Sequence, residues 1–132
     1  MHRLFRFRFL PVLSLLAGVI AACSDPTRPR DVEGTWGAEN VRLVITVSDA
    51  LFDTPCYSGR LALPFQFGND GRFDATGLLT RQGGAGGNET VLASFRGHVR
   101  GDRLSLSVGP ANLGLGPYDL QRDAQVDIIG CP

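Results

Sequence analysis

The chain has 132 residues, enough for one small domain, and thirteen arginines balance thirteen carboxylates with no lysine anywhere. The arginines are scattered singly, so no basic patch of the kind that holds nucleic acid is present. Two histidines and three cysteines leave few side chains for nucleophilic or metal chemistry.

The first nine residues, Met1 to Phe9, carry Arg3, Arg6 and Arg8, and an apolar run from Leu10 to Ala22 follows. That run has the length of a signal-peptide core and falls short of the roughly 20 residues that a membrane-spanning helix needs. It ends Ile20-Ala21-Ala22-Cys23. Small residues before a cysteine at this place resemble a bacterial lipobox, in which the thiol is diacylated and the chain is cut ahead of it. The resemblance implies a leader over 1–22, lipid on Cys23 and attachment to a membrane. Ser24 stands where an aspartate would retain a lipoprotein in the inner membrane, so the implied location is the periplasmic face of the outer membrane. Cleavage would leave 110 residues, in which ten arginines face thirteen carboxylates for a formal charge of −3.

Residues 24–31 are polar and contain Pro26 and Pro29, which disfavour helix and suit an extended tether. The domain is predicted over 32–132, and its pattern is that of strands. Apolar residues alternate at Val41, Leu43, Ile45 and Val47, then at Leu61, Leu63, Phe65 and Phe67, where Pro64 marks an edge, a bulge or a break. Gly68-Asn69-Asp70-Gly71 reads as a hairpin turn, because these residues tolerate positive φ. Alternation resumes at Phe73, Ala75, Gly77 and Leu79. It returns after the glycine-rich loop 82–90 at Ala93, Phe95, Gly97 and Val99. Gly101-Asp102 turns the chain into Leu104, Leu106 and Val108. A Gly/Pro-rich stretch, 109–117, then precedes a last strand or pair at 118–121 and 125–129. Six to eight short antiparallel strands predict an all-β fold, a small barrel or sandwich.

With Cys23 carrying lipid, Cys56 and Cys131 remain, and an envelope compartment favours a disulfide between them. A metal pair would lack further ligands, and nothing in the sequence brings His98 to either thiol as a base. The polar run Asp53 to Ser58 has no other histidine to activate a nucleophile, and His98 falls on the outward face of its strand. Asn69, Asp70 and Asp74 lack the oxygen-donor spacing of a calcium loop, since Phe67 and Arg72 interrupt it. Asn88-Glu89-Thr90 matches a glycosylation sequon, which the bacterial source implied by the lipobox resemblance would make a chance match. No cofactor, metal or catalytic residue is expected.

The single tryptophan lies in Gly34-Thr35-Trp36 at the start of the strand region. Gly-X-Trp at that place resembles the calycin barrels, the lipocalins and avidins. There the indole plugs one end, so the resemblance implies a plug or a ligand contact for Trp36. On that reading Leu43, Ile45, Phe65, Phe73, Phe95 and Leu106 would line a barrel holding a small apolar ligand. Across the domain, Gly34 to Gly37, Val41 to Leu43, a mid-chain cysteine, Asp70 to Asp74, Phe95 to Leu106 and a terminal Cys131 resemble a group of small bacterial lipoproteins. That likeness implies an anchored β domain with a Cys56–Cys131 bridge and no assigned activity. The functional expectation is an envelope lipoprotein with a binding or structural role and a protein or small apolar partner.

Overall fold

The computed structural model describes residues 32–64 and 66–131. The leader, Cys23, the tether and Phe65 lie outside the described residues. The elements are β1 (Gly34–Ala38), β2 (Val41–Ile45), β3 (Ala50–Asp53), β4 (Tyr57–Leu61), β5 (Arg72–Arg81), β6 (Glu89–Arg100), β7 (Arg103–Gly109), a short 3-10 turn (Ala111–Leu113) and β8 (Leu115–Arg122). Each strand pairs antiparallel with the next and β8 returns to β1, so the all-β fold is a closed eight-stranded barrel. Closure leaves the sheet with an inside and an outside and couples every strand's register to the whole.

Alternation sets which side each residue takes. In β5 the buried positions are Phe73, Ala75, Gly77 and Leu79, while Arg72, Asp74, Thr76 and Leu78 face solvent. β7 repeats the rule with Leu104, Leu106 and Val108 inside. The interior is filled by rings laid over glycines. A Cβ on Gly97 would overlap the ring of Phe73, its cross-strand partner, and one on Gly59 would lie 3.0 Å from the Phe95 ring. Phe52 packs edge-on against Phe95 with centroids 5.8 Å apart and reaches Tyr118 at 6.1 Å. Of the six residues expected to line the barrel, Leu43, Ile45, Phe73, Phe95 and Leu106 are buried.

Two elements differ from the sequence expectation. The alternating run through Phe67 stops as a strand at Leu61, and the loop that follows meets β5, in its described residues, through the Ala62 N–H to the Thr76 carbonyl, the Gly68 N–H to the Arg72 carbonyl and the bridge Phe67↔Phe73. Pro64 and the turn residues after it remove the donors and the extended geometry that a strand needs. Gly71, with φ of 79°, belongs to this loop, and a side chain there would crowd the Val99 carbonyl. The run Asp53 to Ser58 is the end of β3, a turn and the start of β4, where the Thr54 hydroxyl accepts from the Tyr57 N–H at 3.1 Å. Lastly, 125–129 form no strand.

Those last residues make a strap. β8 ends at Arg122 at the barrel end where β1 begins, and the Asp123 N–H donates to the Thr35 carbonyl at 2.7 Å. From there the chain crosses the outside of β1. Gly37 is buried although its register is outward, because Ala124 and Val126 lie where its side chain would be. The strap ends at Cys131, bridged to Cys56 in the β3–β4 turn at the opposite end of the barrel. Among the described residues the eight strands, one core and the bridge form a single closed unit over 32–131, which carries its own core.

The bridge closes a loop of 75 residues, worth roughly 4 kcal/mol on the chain-entropy account. Replacing Cys56 and Cys131 together by serine is expected to lower stability by up to that amount in denaturant titration. Amide exchange at 124–130 and at Gly37 should quicken before exchange in β5 and β6.

Candidate functional site

One end of the barrel is closed by a tryptophan and an arginine. Trp36 points inward from β1, is fully buried, and its indole N–H donates to the Val32 carbonyl at 2.9 Å. Arg122, its register partner on β8, lays its guanidinium over the indole ring, 4.3 Å from the centroid. Its Nη1 donates to the Glu33 carbonyl at 3.0 Å and its Nε lies 3.5 Å from an Asp102 carboxylate oxygen. Cation, ring and backbone carbonyls thus hold the incoming chain across this end. Beside them Val32, Ile45, Val47, Leu63, Pro64 and Phe67 line an open apolar pocket of about 370 Å³, within the size range of small-ligand sites.

The other mouth carries two tyrosines. Tyr57 and Tyr118 stand half-buried at the rim above Phe52 and pack against the core. Burial pushes the Tyr118 hydroxyl above the ordinary tyrosine value of 10.0, and the nearby Tyr57 adds to the rise.

The outside has two characters. On β5 to β8, arginines meet carboxylates: Arg72 with Asp70 at 3.1 Å, Arg96 with Asp74 at 3.2 Å and Arg103 with Asp119 at 2.9 Å. These pairs are exposed and each is worth little to stability. Across β2 to β6, by contrast, outward residues fall into one cross-strand row, Val44, Leu51, Arg60, Leu78 and Leu92. Leu78 is 54% exposed and Leu92 is 73% exposed. Arg60 reaches out of the row to Asp49 at 3.4 Å, which leaves its stem alongside the leucines.

The chemistry considered from the sequence is dispersed. Cys56 and Cys131 are bridged, so neither is a free thiol. His98 lies half-buried on the outer face of β6, where its Nε2 donates to the Asp70 carbonyl at 3.0 Å. That bond occupies the nitrogen, so Arg100 Nε, 3.4 Å away, approaches it without a hydrogen bond. Asp53 pairs with Arg42 at 3.1 Å. Asp70 accepts from the Arg72 N–H, which is turn chemistry, and Asp74 is held by Arg96. Among the described residues, no three of His, Cys, Asp and Glu group as a metal site would need. Comparison with protein-family models, curated proteins and solved structures finds no match for this chain.

Sequence reasoning singled out Trp36 but neither Arg122 nor the outward leucines. Arg122 is 89 positions from the carbonyl it holds, beyond the reach of any local pattern. The leucine row could have been found, because a leucine at an outward parity breaks the alternation of its strand.

Tyr118 gives a pH dependence. The unfolded chain ionises this tyrosine near its ordinary value while the fold holds the proton, so its contribution is intact below that pH and is lost as pH rises through it. Denaturation compared at pH ~8 and pH ~10.5 should show a smaller alkaline loss in Tyr118→Phe than in the parent.

Proposed function

We propose that this protein is a lipid-anchored component of the bacterial cell envelope whose barrel works by binding rather than by catalysis. Residues 1–23 support the anchor through their lipobox resemblance, and Ser24 supports the periplasmic face of the outer membrane. The observation that carries the binding role is the exposed row of Leu51, Leu78 and Leu92 on a barrel whose interior is filled by its own rings. A solvated apolar row costs solubility and marks contact with another surface. The group of small lipoproteins that the sequence resembles fits this reading. No cofactor enters it, and the partner is a protein at the membrane.

Anchoring is tested by metabolic labelling with a palmitate analogue. The parent should incorporate label and sediment with membranes, while Cys23→Ser should carry none and retain its leader. An unlabelled parent, or a labelled variant, would remove the anchor from the proposal.

A second reading is favoured by one specific site. The Trp36–Arg122 closure and the apolar pocket beside it suit a calycin-like binder of a small apolar ligand, with Trp36 as plug or contact. Native mass spectrometry of residues 32–132 with a medium-chain fatty acid should then retain one molecule. Val47→Asp, altering an exposed wall of that pocket, should weaken retention about tenfold or more. Equal retention by both chains would reject this site.

A further inference from the structure

β6 outruns its neighbour. Its pairing with β7 ends at Ser94↔Gly109, while β6 itself begins at Glu89. On the β5 side every residue from Glu89 to Ala93 has a partner. On the β7 side no strand among the described residues pairs with Glu89, Thr90, Val91, Leu92 or Ala93. An unpaired strand edge offers its N–H and C=O groups to another chain, and proteins ordinarily blunt such edges with proline or charge. The other long overhang, β8 beyond the end of β1, carries Pro117 and Asp119. From Thr90 to Ala93 the β6 edge carries neither, and its outward leucine is 73% exposed.

We infer that this edge pairs with the same edge of a second copy, so that the protein forms a two-fold symmetric dimer through β6. The free segment is its own complement. Antiparallel pairing about Val91 sets Glu89 opposite the second copy's Ala93 and Thr90 opposite the second copy's Leu92, and it uses the five free residues of each chain. Only same-parity residues meet, so outward side chains stay on one side of the joined sheet. No like charges face each other, because Glu89 lies at the end of the segment beside its register partner Arg81. Leu92 then becomes the diagonal neighbour of the second copy's Leu92, at a separation long side chains bridge. With Leu78 behind each, four leucines form one cluster on the outer face. Main-chain hydrogen bonds supply the attraction and the leucines fix the register, as in strand addition generally. A self-matching strand whose residues Thr90 to Ala93 carry no charge fits a copy of itself better than a charged partner. The inference rests on the edge alone and stands whether or not Cys23 is acylated.

Residues 32–132 with the bridge intact are the material for the test. Sedimentation equilibrium should show a monomer–dimer equilibrium, and the amides of Thr90 to Ala93 should gain protection from exchange as concentration rises. Leu92→Lys and Thr90→Lys, both at exposed outward positions, should keep the thermal melt of the monomer and weaken dimerisation about tenfold or more. A chain that stays monomeric up to about 1 mM, with those amides exchanging freely, would overturn the inference. A dimer indifferent to both lysines would overturn it too, since another face would then be responsible. Protection that arises only on adding an unrelated extended peptide would assign the edge to a partner protein and reject the second copy.

Discussion

Closure of the barrel rests on a narrow join. β1 and β8 share only the pairs Trp36↔Arg122 and Gly37↔Gln121, far fewer than the ten between β5 and β6. A closed sheet is only as secure as its shortest ladder, and three further contacts reinforce this one. Arg122 stacks on the indole from inside, Asp123 continues the hydrogen bonding to Thr35, and the strap lies over Gly37 from outside. A side chain at position 37 would lift the strap, so glycine there is a packing requirement. The seam is thus clamped from both faces, and the bridge to Cys56 fixes the far end of the clamp.

The interior of the barrel is filled by its own side chains. Phe52, Phe73 and Phe95 occupy the space that a wider barrel would leave to a ligand, and Gly59 and Gly97 are the positions that admit two of these rings. Eight short strands enclose about the volume their own side chains fill. The surface presents a pocket at the Trp36 end, an ion-paired face and a leucine row that meets a β6 edge with no strand partner among the described residues. These are different chemistries, and the last two meet on β5 and β6.

The fold was legible where a strand had one buried face and a clean turn. β7 alternates without exception, β5 departs from alternation only at the exposed Leu78, and Gly101-Asp102 announces the reversal between β6 and β7. β3 escaped because Ala50-Leu51-Phe52-Asp53 places a leucine outside beside a phenylalanine inside, which erases the period-two signal over four residues. The strap escaped for a related reason: Val126 and Ile128 resemble a strand, yet they follow an outer surface instead of joining a ladder. At the Trp36 end a three-residue pattern marked the aromatic. The partners that give it meaning, Arg122 above all, come together only through closure and carry no local signature.

The strap also divides the chain mechanically. Cys56–Cys131 makes a covalent ring of β4 to β8, and the chain enters the barrel through β1 to β3, which lie ahead of that ring. Any pull on the N-terminal side can unravel only residues 32–55 before the load reaches the disulfide. That limits the extension to roughly 80 Å at about 3.3 Å per residue. Beyond it the force passes through sulfur to the end of the chain and leaves the five-strand ring unstretched. Pulled between its two ends, the chain would therefore lengthen by a fixed amount, with the disulfide carrying the load past β4 to β8.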